Sequence, residues 1–412
     1  MTQRDERPIE LLLWGATGFT GRLAAEHLAV RYARERIALG GRSESKLEKL
    51  RADLAAIDPK CAAWPIRTAD ALDVAALDGI VPQARVIATT AGPFSRYGHE
   101  LAAACARHGT DYCDITGEVP FAREVIDRNH ARAKESGARI VPFCGFDSIP
   151  SDLGVFLLQE LVKRERGAPC SEALLLLVRA RGGVSGGTAA SMLTIMEEAG
   201  RDPRVRAMLR NPYALAGPDD HGPASDAHGV KRCGDAWTAP FAMGPVNSRV
   251  VHRTNALLDY PYGRDFRYEE RVAVGSGARG LMRASAMSAG LAAAERALTL
   301  GPIRALAKGR LPAPGEGPSK EKRQSGSFFI RVTERLQRAG AAEDGATCNV
   351  SGQGDPGYSG AAKMLVESAL CLSRDVQGEG GVLTPASCMG HALATRLRAV
   401  GIAFDVQSSP DP

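Results

Sequence analysis

Apolar positions along this chain follow two rhythms. From residue 9 to about residue 150, short unbroken apolar runs alternate with stretches whose apolar residues recur every three or four positions. The first pattern suits a strand buried on both faces, the second an amphipathic helix. Their alternation predicts an α/β fold, a Rossmann-type doubly wound parallel sheet. Ile9 to Leu13 reads as the first strand, and Leu23 to Leu28 opens the first helix. Arg36 to Leu39 is the second strand, with a turn over Gly40 to Ser43, and Ser45 to Ile57 a helix with Leu47, Leu50, Leu54 and Ile57 on one face. A third strand is expected over Cys61 to Ile66, a short helix over Leu72 to Leu77, and a fourth strand over Arg85 to Thr90. Then come the loop Ala91 to Phe94, a helix from Glu100 to His108, strands at Tyr112 to Ile115 and Arg139 to Pro142, and a long helix, Val119 to Ser136, between them.

Past Ser151 the rhythm changes. A helix from Ser151 to Arg166, capped by Ser-Asp, leads into strand-like runs at Leu174 to Arg179, Arg249 to Arg253 and Phe328 to Thr333. Gly187 to Ala199, Gly360 to Leu372 and Pro385 to Ala399 read as helices, and Gly217 to Asp235 and Lys308 to Ser327 as loops. The expected division is a cofactor domain over 1–150, an α+β substrate domain over 151–350, and C-terminal helices over 351–412. The Ala-rich stretch Leu281 to Leu306, with Met282, Met287, Arg283 and Arg296, reads as core or lid. The alternative is a dock on a membrane or on a partner surface, which would allow peripheral membrane contact.

Composition narrows the class without choosing a function. A length of 412 residues suits two domains, and 44% apolar with 24% charged residues suits a soluble protein with ample core. The 52 basic residues are scattered among 47 acidic ones, so nothing points to nucleic acid. Nine cysteines without C-x-x-C spacing, and no apolar leader, predict reduced thiols in a cytoplasmic protein. No cluster of His, Cys and carboxylates has zinc spacing, so no metal is expected. The longest uncharged apolar window, Ala284 to Ala294, is about half of a membrane span.

Candidate chemistry starts where the first strand ends. Gly15-Ala16-Thr17-Gly18-Phe19-Thr20-Gly21 lies between strand and helix, so free backbone N–H groups and the positive end of the helix dipole face one spot. That is a place for a diphosphate. Gly15 would permit the turn, Gly18 the approach of the phosphates, and Gly21 the contact of helix with strand. The G-x-x-G-x-x-G spacing is common where the cofactor is NADP. A glycine-rich surface turn is the competing reading, and the strand and helix on either side argue against it. NAD-binding chains place an Asp or Glu at the end of the second strand. Here Arg42 and Ser43 stand there, a pair that fits a 2′-phosphate, unless Arg42 is only a solvated surface residue. NADPH is the expected cofactor. Gly92 and Pro93 are expected to line the nicotinamide ribose, while Thr89 and Thr90 either touch the cofactor or simply end the strand.

These motifs resemble the saccharopine dehydrogenase-like oxidoreductases: Gly15 to Gly21, Gly40 to Ser43, Ala91 to Phe94 with Tyr97-Gly98, Gly109 to Tyr112 and Asp114 to Glu118. Ile126 to Arg128, Gly137 to Ile140, Gly145 to Asp152, Ser185 to Thr188, Asn211 to Tyr213, Gly354 to Tyr358 and Gly381 to Ala386 are similar to the trans-acting enoyl reductase branch. The resemblance spans almost the whole chain. It implies a Rossmann domain, a second α+β domain, and C-terminal helices returning to the Rossmann half. It also implies reduction of an enoyl chain in lipid or polyketide assembly, presented by a separate polyketide synthase that lacks its own enoyl reductase.

Enoyl reduction needs a proton at the α-carbon. Tyr97, directly after the cofactor loop, is the first candidate donor, against a packing role at the domain seam. Asp147, in the turn Gly145 to Ser148, either faces the crevice or serves the helix that follows. His99, Asp114 and Glu118 are further candidates with structural alternatives. No tyrosine begins a Tyr-x-x-x-Lys pair; Tyr358 and Lys363 are one residue too far apart, which disfavours a short-chain dehydrogenase. Two other functions stay open. A saccharopine- or opine-type amino-acid dehydrogenase would need fixed cations for substrate carboxylates, for which Arg179, Arg181, Arg249 and Arg253 are available. A non-catalytic NADPH-binding scaffold or sensor would keep the glycine loop alone.

Overall fold

The computed structural model describes residues 6–182, 186–217, 220–223, 227–298, 301–308, 317–338 and 341–408. Its first half runs β1 (Ile9–Trp14), α1 (Phe19–Tyr32), β2 (Ile37–Gly41), α2 (Glu44–Ala55), β3 (Ile66–Thr68), α3 (Val74–Ile80), β4 (Ala84–Thr89), α4 (Phe94–Tyr97), α5 (His99–His108), β5 (Asp111–Asp114), α6 (Val119–Ser136), β6 (Arg139–Val141) and α7 (Ile149–Arg166). There follow β7 (Glu172–Arg181), α8 (Gly186–Arg201), α9 (Pro203–Arg210), β8 (Lys231–Cys233), β9 (Ala236–Pro240), α10 (Gly244–Leu257), β10 (Arg267–Gly275), α11 (Gly277–Leu298) and α12 (Gly301–Lys308). The last part comprises α13 (Lys320–Gln324), β11 (Ser327–Arg338), β12 (Ala341–Gln353), α14 (Ala361–Arg374), β13 (Gly381–Val382), α15 (Pro385–Ala399) and β14 (Ile402–Gln407).

Every residue of β1 is buried, which is why its apolar run is unbroken. Leu11 and Leu13 join one core with Leu28 of α1 and Leu365 of α14, while Leu12 and Trp14 join another with Leu101 of α5 and Phe121 of α6. The sheet is parallel throughout, in the order β13-β6-β5-β4-β1-β2-β3. The strand order reverses between β1 and β4, so a ligand crevice opens at their carboxyl ends. The second sheet is mixed, in the order β14-β12-β11-β7-β10-β9-β8. Helix α7 joins the halves: a β-carbon on Gly154 would lie only 2.8 Å from Val332 Cγ2 of β11. The chain end ties them again. Helix α14 packs on α1 and β4, β13 extends the first sheet beside β6, and β14 pairs with β12 of the second.

Several local expectations are corrected. Cys61 lies in a 3-10 turn, Pro59–Ala63, started by Pro59 and by the Asp58 carboxylate on Lys60 N, and β3 begins only at Ile66. The third helix starts at Val74 because Asp73 caps it through Ala76 N. Helix α7 starts at Ile149, with Pro150 in its first turn, so Ser151 and Asp152 are buried inside the helix and cap nothing. Arg249 to Arg253 is helical, within α10; residues 247–255 are buried all round, which erases the helical rhythm. The Ala-rich stretch is not core. Among the described side chains of α11 only Gly280 and Ala284 are buried, and Met282 is 64% exposed. Leu281, Met282 and Met287 fall roughly 100–240° apart around the helix axis and make no continuous apolar face. The loop expected over Lys308 to Ser327 includes α13, and its residues 309–316 lie outside the described residues, as does Ser185. Among the described residues no helix is long and apolar enough to cross a membrane, and no cluster of three potential metal ligands occurs. All nine cysteines are free.

Candidate active site

The three glycines of the first loop have different reasons. Gly15 has φ +75°, and a β-carbon there would stand 2.9 Å from Ala91 N. A β-carbon on Gly21 would stand 2.2 Å from the Gly15 carbonyl oxygen. The protein itself requires both. A β-carbon on Gly18 would meet, among the described residues, only the Gly15 carbonyl, at 3.4 Å. Gly18 is also the N-cap of α1, which has no side-chain cap and no acid in its first turn. The first-turn N–H groups, from Phe19, Thr20 and Gly21, therefore have no side-chain acceptor. Ala16 is buried, its N–H spent on the Gly40 carbonyl at 3.2 Å, and Thr17 is half-buried. Arg42 is exposed at the end of β2, next to this loop, and forms no ion pair with another described residue. Ser43 takes the N-cap position of α2 without capping it, its hydroxyl 3.4 Å from that of Ser45.

Across the crevice, the end of β4 is fixed by its own threonines. Thr90 Oγ1 donates to the Gly15 carbonyl at 3.1 Å, and Thr89 Oγ1 accepts from Ala91 N at 3.1 Å. The Thr90 hydroxyl thus ties the two crevice loops together, and that of Thr89 shapes its own loop. Gly92 is exposed and Pro93 half-buried on the loop itself. Glu118, at the start of α6, sets that loop. Its Oε1 accepts from Phe94 N and its Oε2 from Ser95 N, both at 2.9 Å, and Ser191 Oγ of α8 donates to Oε1 at 2.7 Å. The carboxylate is 1% exposed and joins the first half to the second.

Tyr97 is half-buried at the end of α4, and its hydroxyl makes no hydrogen bond to another described residue. His99 is turned away to α6, 3.7 Å from Glu124 and packed on Phe121 at 4.9 Å, and burial lowers its pKa. Asp147 is half-buried in the turn between β6 and α7. Behind it lies a closed polar chain: Ser148 Oγ donates to Asn247 Oδ1 at 3.0 Å, Asn247 Nδ2 to Glu270 Oε2 at 2.9 Å, and Tyr268 OH to Glu270 Oε1 at 2.5 Å. Burial, with the Asp147 charge as a lesser contribution, pushes Glu270 up to about 7. Sequence reasoning missed Asn247 and Glu270, because isolated polar residues in buried elements carry no motif.

Asp114 is structural. Its carboxylate accepts from Thr116 N at 2.9 Å, Phe143 N at 3.2 Å and Tyr112 OH at 2.8 Å, yet burial pushes it up to about 7. It secures Phe143, a non-glycine residue at φ +67°, in a conformation that costs about 1–3 kcal/mol. Asp152, also pushed to about 7 by burial, accepts from Thr254 Oγ1 and from Ala386 N. The arginines considered for substrate carboxylates divide. Arg179 and Arg181 are exposed, whereas Arg249 and Arg253 are buried and donate to backbone carbonyls of Pro245, Leu209, Leu215 and Val382.

Residues 11–141 match the saccharopine dehydrogenase NADP binding domain. That match supports NADP(H) as the cofactor. A Mycobacterium ulcerans protein named trans-acting enoyl reductase is 39% identical over 416 residues, covering 96% of this chain and 97% of its own. A Mycobacterium tuberculosis protein of the same name is 38% identical over 417 residues, again 96% and 97%. A second Mycobacterium tuberculosis relative, 40% identical over 416 residues and 97% of both chains, carries that name provisionally. In fold, the chain is similar to the saccharopine dehydrogenase (L-Glu forming) of Saccharomyces cerevisiae, with TM-score 0.54 and 11% identity over 97% of this chain and all of that one.

Proposed function

The chain belongs to the trans-acting enoyl reductase family, within the saccharopine dehydrogenase-like oxidoreductases, and we propose that it uses NADPH to reduce the C=C bond of an α,β-unsaturated acyl or polyketide thioester carried by a separate synthase. The observation that carries the cofactor half of this reading is Gly18. Among the described residues only the Gly15 carbonyl comes within 4 Å of a β-carbon placed on it, and the N–H groups of α1 aim there uncapped. A diphosphate accounts for both features. The exposed Arg42, with Ser43, supports a 2′-phosphate on the adenosine ribose.

When bound, the cofactor supplies a hydride. The chain's own residues do the rest. Glu118 holds the loop of Gly92 and Pro93 so that the nicotinamide face has one position, and its bond to Ser191 brings α8 over the crevice, which excludes water. Tyr97, whose hydroxyl makes no hydrogen bond to another described residue, is the candidate to supply the α-carbon proton. Asp147, in front of the Ser148–Asn247–Glu270 chain, orients the substrate carbonyl side of the crevice.

With Arg249 and Arg253 spent on backbone carbonyls, the crevice lacks two of the four arginines that an amino-acid substrate could have used. NADPH consumption tests the choice. Oxidation with an enoyl thioester, free or carrier-bound, is expected. Oxidation only with a 2-oxo acid plus an amino acid would favour the amino-acid dehydrogenase. Binding without turnover of either would leave a scaffold or sensor.

A further inference from the structure

The Phe19 side chain, on the glycine loop, is covered from the second half of the chain. Phe19, the first residue of α1, meets Tyr358 edge to face, ring centroids 4.9 Å apart and planes at 73°. The Arg323 guanidinium lies over the same ring, 5.3 Å from its centroid. Gly317 lies flat against it: a β-carbon there would stand 2.4 Å from Phe19 Cζ. Three separated residues thus converge on one side chain of the cofactor loop.

The cover is anchored. Asp355 accepts from the N–H groups of Gly357, Tyr358 and Ser359, which shapes the turn that carries Tyr358. Asp355 N in turn donates to the Arg323 carbonyl at 2.7 Å. Arg323 Nη1 donates to the Pro318 carbonyl at 2.7 Å, and the guanidinium forms no ion pair with a described carboxylate. Glu321, the one acid of α13, is exposed. A full positive charge therefore stands beside a helix N-terminus that has neither cap nor acid in its first turn.

We propose that Arg323 is a ligand of the dinucleotide diphosphate, supplied by the second half of the chain, with the Phe19 ring as the platform that steers it. The inference rests on the NADPH reading above. Its chemistry differs from that of Arg42. Arg42 distinguishes NADPH from NADH through the 2′-phosphate, whereas the diphosphate is common to both, so loss of Arg323 must weaken both alike.

The test is dissociation constants for NADPH and NADH, measured by fluorescence on the full chain and on Arg323→Gln, Arg323→Lys and Arg42→Ala. Arg323→Gln is expected to weaken both nucleotides by about tenfold or more and by the same factor, the scale of a charged hydrogen bond. Arg323→Lys should retain part of the affinity and keeps the charge if the Gln variant folds poorly. Arg42→Ala should weaken NADPH alone. Unchanged affinity in Arg323→Gln, or a loss confined to NADPH, overturns the assignment. A wild-type chain that binds neither nucleotide overturns the NADPH reading itself, a separate and distinguishable failure.

Discussion

Glu118 Oε1 accepts the backbone N–H of Phe94 at 2.9 Å, so a carboxylate at the start of one helix fixes the loop that ends the neighbouring strand. Glu118→Gln replaces one acceptor oxygen by an amide that cannot accept from Ser95 N. The loop should shift while the surrounding helices stay folded. A displacement near 1 Å at a reacting centre can cost about 10²-fold. Single-turnover oxidation of bound NADPH should fall by about that factor while far-UV circular dichroism is retained. Full activity in the variant would mean that the loop is held by other contacts.

Gly18 and Gly21 separate folding from binding. Gly21→Ala places a methyl group 2.2 Å from the Gly15 carbonyl, against backbone that cannot move cheaply. Its melting temperature should drop by several degrees, on the scale of about 1–3 kcal/mol for overpacking. Gly18→Val puts a β-carbon no closer than 3.4 Å to any described neighbour. It should melt near the wild-type temperature and lose NADPH binding, both read in one thermal-shift titration.

Tyr97→Phe removes only a hydroxyl that makes no hydrogen bond to another described residue. Stability and NADPH affinity should be unchanged. Turnover with an enoyl thioester should fall about 10²–10⁴-fold if this phenol is the general acid. Solvent-deuterium incorporation at the α-carbon gives a second reading, since it should remain even when the rate falls. An unaltered rate removes Tyr97 from the mechanism.

Asp152 titrates at about 7 in the folded chain, against 3.8 as the ordinary value, because burial disfavours its charge. A raised acid pKa means that the native state holds a proton the unfolded chain has lost. The stability it contributes is full below about pH 4 and declines as pH rises through 7. Asp152→Asn imitates the protonated acid and can still serve Ala386 N and Thr254. The stability difference between variant and wild type should therefore move in favour of the variant between pH 4 and 7, by an amount on the order of a few kcal/mol. Urea unfolding of both proteins across that range measures it, and a gap independent of pH would refute the assignment.

The parallel sheet was legible because its strands are buried on both faces and its glycine loop has a fixed grammar. Boundaries failed where a single side chain made the decision, as with Asp73 at α3 and Pro150 at α7. Helix α10 was read as a strand over Arg249 to Arg253 because full burial leaves no polar face to mark the helical period. Gly40 shows another limit. A β-carbon there would lie 2.5 Å from the Trp14 ring, a contact between neighbouring strands that no local pattern reveals. Site residues on the first loop could be named from spacing. Asn247, Glu270 and Arg323 act through contacts across 23 or more residues, with Ser148, Asn247 and Phe19, and have no signature of their own.

Helix α14 and the short strand β13 bear on how the protein is made. The cofactor sheet begins with β1 near the first residues, yet its last strand and one of its covering helices come from beyond residue 360. During translation Leu11, Leu13 and Val86 must wait for Met364 and Leu365 to complete their core. The first half of the nascent chain therefore keeps apolar surface uncovered until residues 361–382 have emerged, and the cofactor domain cannot complete its core before then.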